Sequence, residues 1–86
     1  MNPEIVEMRN ALSGARKKVT KLREETFGAL LIVRQNLPVY GDDAILRADT
    51  NKALEYCKRL HELKSDLVKT LATIKQLEEA LGESNE

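Results

Sequence analysis

The chain has 86 residues, 14 basic and 14 acidic, so no whole-molecule field draws it toward nucleic acid, a membrane surface or an acidic substrate. It has no apolar run of the ~18 residues a membrane span needs, and Met1 to Met8 carries acids where a secretory signal would be basic and then apolar, so a soluble, cytoplasmic protein is expected. One phenylalanine, two tyrosines and no tryptophan leave an aliphatic core, and a single core of this size supplies only roughly 3–5 kcal/mol, so association is a way to bury more.

Strong helix formers and charges dominate, the composition of long helices and coiled coils. Asn2-Pro3-Glu4 reads as a helix start: a capping side chain, a proline at the first helical position and an acid in the first turn. From there the spacing predicts a helix over about 3–37. Ile5, Met8, Leu12, Ala15, Val19 and Leu22 follow the alternating three-and-four spacing of a heptad seam, continued by Thr26, Ala29 and Val33 with Ile5 at position a. Between Phe27 and Val33 apolar residues surround most of the helix, a sign that it is covered on more than one side.

Pro38 and Gly41 then stop and reverse the chain, because proline lacks the amide a helix needs and glycine accepts a positive φ. The turn is placed at 38–43, with Asp42 or Asp43 capping the next helix and Tyr40 read as a plug over the hairpin end rather than an exposed contact. The second helix is expected over about 44–81. Leu46, Ala53, Leu60, Leu67, Ile74 and Leu81 occupy its a positions, and Asp49, Tyr56, Leu63, Thr70 and Leu77 its d positions. Asp49-Thr50-Asn51 offers a competing cap that would detach 43–48 as a separate turn. Gly82 suits a helix C-terminus, and the tail 82–86 should fray.

The fold expected is all-α: an antiparallel, coiled-coil-like two-helix hairpin forming one domain over 1–86. A register symmetric about Gly41 sets Ile5 against Leu77, Met8 against Ile74, Leu12 against Thr70, Ala15 against Leu67, Val19 against Leu63 and Leu22 against Leu60. Nearer the turn it sets Thr26 against Tyr56, Ala29 against Ala53 and Asn36 against Leu46, and it brings Lys18 to Asp66 and Glu25 to Arg59. On the other flank Arg9, Arg16 and Arg23 recur every seven residues opposite Leu71, Lys64 and Cys57, which sets Arg16 repulsively beside Lys64 and leaves Arg9 and Arg23 with no acid to answer them. Phe27, Leu30, Leu31 and Leu71, with Val6, Leu54 and Val68, add apolar surface that one hairpin cannot cover. A second layer of helices follows, most simply a homodimer making a four-helix bundle, with a different protein as the other option.

No catalytic constellation is present. Cys57 and His61 lie four apart, half of a metal site without the other half, and are read as a buried thiol and an exposed imidazole. The neighbouring pairs Glu24-Glu25 and Glu78-Glu79 are read as solvated faces. No enzyme activity, metal or other cofactor is expected. The function expected is a protein-interaction module, an adaptor, assembly chaperone or small inhibitor, with Phe27, Leu30, Leu31, Leu71, Arg9, Arg16 and Arg23 as the partner-binding residues. The alternative is a nucleic-acid-binding accessory protein using Arg16, Lys17, Lys18, Lys21 and Arg23. In outline the hairpin resembles several small helical secretion substrates, chaperones and phage-encoded inhibitors. The Trp-X-Gly turn that marks one such group is replaced here by Val39-Tyr40-Gly41, and no residue role is carried over.

Overall fold

A computed structural model describes residues 2–82. Three helices account for most of them: α1 over Pro3–Gln35, a single turn α2 over Ala44–Arg47, and α3 over Thr50–Leu81. α1 and α3 pack antiparallel into an elongated hairpin with principal extents of 66 × 24 × 14 Å. The shortest extent is close to one helix diameter, so the molecule is a single layer two helices wide.

α1 starts as its sequence dictates, with the Asn2 side chain accepting from the Glu4 amide at 2.9 Å and Pro3 in the first turn. It ends at Gln35, two residues before the expected Leu37, because Pro38 disfavours helical backbone in the residue ahead of it. The Asn36 side-chain amide donates to the Ile32 carbonyl at 2.8 Å and closes that end.

The second helix does not run unbroken from 44. Ala48 is extended, and Asp49 caps α3 by accepting from the Lys52 amide at 2.9 Å. The competing cap wins because it satisfies a free amide of a long helix, whereas Asp43 adopts the left-handed conformation and its side chain caps nothing. Gly41 (φ +96°) makes the reversal, and Gly82 (φ +71°) terminates α3 as expected. The fraying foreseen for 83–86 lies outside the described residues.

The seam uses the foreseen residues in a different register. The Asp49 amide donates to the Asn36 carbonyl at 3.0 Å, so these two d positions are level. Leu22 and Leu63, also d positions, share the central buried cluster with Ala29, and Leu60 and Leu67 pack against it. Further out, Ala15 and Thr70 line one cleft, and Met8 and Leu77 another. Every one of these pairs sets d against d, so the helices are offset by about half a heptad from the register symmetric about Gly41. The cause is the connection: α2, the extended Ala48 and the non-helical Asp49 lengthen it, and its midpoint moves beyond Gly41. Leu46, expected opposite Asn36, is instead 80% exposed.

The core is a narrow file. Leu12 is the most deeply covered large side chain at 2% exposure, followed along the seam by Val19, Leu22, Ala29, Ala53 and Leu63. Two threonines at seam positions satisfy their own hydroxyls: Thr26 donates to the Leu22 carbonyl at 2.6 Å and Thr70 to the Asp66 carbonyl at 2.7 Å. Neither threonine therefore leaves a polar group unpaired in the seam.

Candidate functional site

A hairpin one layer thick has two broad faces, and heptad position assigns each side chain to one of them. Positions b and e of both helices lie on one face; positions c and g lie on the other. Two interhelical ion pairs among the described residues mark them. Arg16 and Glu78, both e, meet at 3.1 Å, whereas Glu25 and Arg59, both g, meet at 3.5 Å.

The c and g face is balanced. Lys18, Lys21, Lys52, Arg59 and Lys69 are answered there by Glu7, Glu25, Glu55, Glu62 and Asp66. No large apolar side chain is exposed on it among the described residues.

The b and e face is different in both respects. It carries Arg9, Arg16, Arg23, Arg34, Lys64 and Lys75 against a single carboxylate, Glu78. Val6, Phe27, Leu30, Leu54, Val68 and Leu71 all stand exposed on it, Phe27 at 61%. The overall neutrality of the chain therefore conceals a segregation, with one face cationic and greasy and the surplus acids at the ends, as at Glu4, Asp42, Asp43 and Asp49. We call it the arginine face.

The residues expected to bind a partner fall into place on it with one correction each of position and pairing. Phe27 and Leu30 share the face with Leu71, which the register sets level with Gly14, about 20 Å from Phe27 along α1 at ~1.5 Å per residue; Leu31, at an f position, sits on the outer edge of α1, one turn beyond Phe27. Arg16 is not beside Lys64. It reaches toward the start of α1 while Glu78 leans toward the start of α3, and in an antiparallel pair those two directions converge. The Glu78 side chain is only 10% exposed, so the pair is partly withdrawn from water, and Glu78, expected on a solvated face, is largely covered. Arg9 and Arg23 have no carboxylate partner among the described residues.

The expected nucleic-acid segment is dispersed by the helix. Arg16 and Arg23 lie on the arginine face, Lys17 points out along the edge, and Lys18 and Lys21 belong to the balanced face, Lys18 lining a cleft with Asp66. Cys57 is exposed on the arginine face, not buried, and lies one helical turn from exposed His61. No three metal-ligating side chains converge among the described residues.

A second exposed surface was not foreseen. At the connection Val39, Tyr40, Ile45 and Leu46 are all more than three-quarters exposed, Tyr40 at 86%, so it is no plug. Their backbone is nevertheless held: the Arg47 guanidinium donates to the Tyr40 carbonyl at 2.6 Å, and Asp49 ties back to Asn36. The signal for this was in the sequence as the Asp49-Thr50-Asn51 cap, which removes Leu46 from the seam.

No helix among the described residues is long and apolar enough to cross a membrane. No protein-family model matches the chain, and comparison with curated proteins and with solved structures gives no match either.

Proposed function

We propose that the hairpin is a non-catalytic protein-interaction module of the cytoplasm, an adaptor, assembly chaperone or small inhibitor, that docks a further helical layer on its arginine face. The observation that carries this reading is the one-sidedness of the exposed apolar residues: Phe27, Leu30, Val68 and Leu71 lie on the same side of a layer whose other side exposes no large apolar side chain among the described residues. Burying such a band supplies affinity, and the arginines around it select the partner. The added layer comes from a second copy, which would give a four-helix bundle, or from a different protein.

The test is a pair of substitutions, Phe27→Asp and Leu30→Asp, in the full chain, with light-scattering mass followed over a dilution series and association with partner proteins measured alongside. Helicity should survive, since both positions are outside the seam, while association is lost. Association unchanged by both substitutions would sink the reading. Binding to nucleic acid is the second reading, favoured by the cationic surplus of this face. Duplex binding that weakens steeply between low and moderate salt and follows charge reversal at Arg9 and Arg23 would establish it.

A further inference from the structure

The arginine face specifies what kind of helix it would take, and the inference rests on the docking reading above. We propose that its occupant is an acidic amphipathic helix, laid along the groove between α1 and α3 as the third member of a bundle, with carboxylates recurring every seven residues.

Arg9, Arg16 and Arg23 are successive e positions of α1, each about 10 Å beyond the last at ~1.5 Å per residue. They form one rim of the groove; Lys64 and Lys75 stand on α3 opposite, and Val68 and Leu71 lie exposed between those two lysines in sequence. Flanking charges at heptad intervals set partner choice and orientation when helices pair. A helix whose own flanking positions are glutamates meets a cation every two turns while its apolar stripe covers Leu30, Val68 and Leu71. From Val6 to Leu30 the face extends about 36 Å at ~1.5 Å per residue, so the matching helix is about 25 residues long.

Charge then decides among occupants. A second copy set face to face brings the same six cations opposite one another with one carboxylate on each side, and that carboxylate is already engaged by Arg16. A nucleic-acid backbone answers the cations but leaves the apolar band against phosphates and water. Only an acidic helix with an apolar stripe matches both properties of the surface.

The full-length protein is titrated calorimetrically with a synthetic 28-residue helix carrying leucine at a and d and glutamate at e and g, whose own repulsion keeps it from pairing with itself, and with the same peptide carrying lysine for glutamate. The expected result is binding of the glutamate peptide only. Affinity should fall about tenfold or more in the Arg9→Glu, Arg23→Glu double variant, which should in turn accept the lysine peptide. Circular dichroism checks that the variant is folded. Equal binding of both peptides, or indifference to the double reversal, overturns the acidic specificity; if Phe27→Asp still abolishes that binding, the broader docking reading survives. A stable dimer that excludes the peptide assigns the face to a second copy, and a duplex oligonucleotide bound more tightly than the peptide assigns it to nucleic acid; either overturns the inference. Failure of both peptides to bind a monomeric protein overturns the inference and the docking reading together.

Discussion

The middle of the hairpin and its connection are held by different forces. Around Leu22 and Leu63 the helices are fixed by side chains that interlock across the seam, and hardly any polar contact crosses between them. Between Asn36 and Asp49 the reverse is true: backbone and side-chain hydrogen bonds fix the chain, and the large apolar residues point away from it. An apolar side chain at the connection therefore contributes little to the fold, and its presence there calls for another explanation. Apolar residues in the middle divide into those that close the seam and those, such as Phe27 and Leu71, that do not.

Four variants test that division. Leu22→Ala removes the centre of the seam cluster and should cost about 2–3 kcal/mol by urea unfolding. In a domain with so small a core, that is most of its stability, and a loss below about 1 kcal/mol would mean that packing is not what holds the middle. Asp49→Ala deletes the α3 cap and should cost about 1 kcal/mol, with faster amide exchange at Lys52. Unchanged exchange there would show that the connection is held by something else. Gly28→Ala works in the opposite direction: it lies inside α1, a methyl group there meets nothing within 4 Å, and it should gain about 0.5–1 kcal/mol. Tyr40→Ser together with Ile45→Ser should change stability by less than about 0.5 kcal/mol, since both side chains are almost wholly in water. A larger loss would make them part of the fold after all.

Much of the architecture was legible because its signals are local. The Asn2-Pro3-Glu4 start, the Pro38 stop, the Gly41 reversal and the Gly82 end are each decided within a few residues of themselves. The seam was legible for a different reason: heptad spacing assigns residues to a and d without reference to what they face. That independence is also why the register was not legible. Leu22 is equally apolar against Leu60 or Leu63, so the pattern scores an a-against-d pairing and a d-against-d pairing alike. The length of the connection breaks the tie, and it turned on whether Leu46 prolonged the seam or Asp49 began a new helix. Both signals were present, and the cap prevailed. The Arg16–Glu78 pair follows from the register and was hidden with it. The spacing predicts the exposure of Phe27, Leu30 and Leu71, and they are exposed; that of Leu46 is not predicted because it is set against an unbroken second helix, and that of Tyr40 is not because a turn aromatic is expected to pack on the nearest core layer.

A body only 14 Å thick has an interior that is a line rather than a volume. Trimming a leucine in a globular protein seals a void that xenon or benzene can occupy. Trimming one here opens a channel that floods from above and below, so the variant should hold water where a thicker protein would hold vacuum, and pressure should find little hidden space in it to collapse.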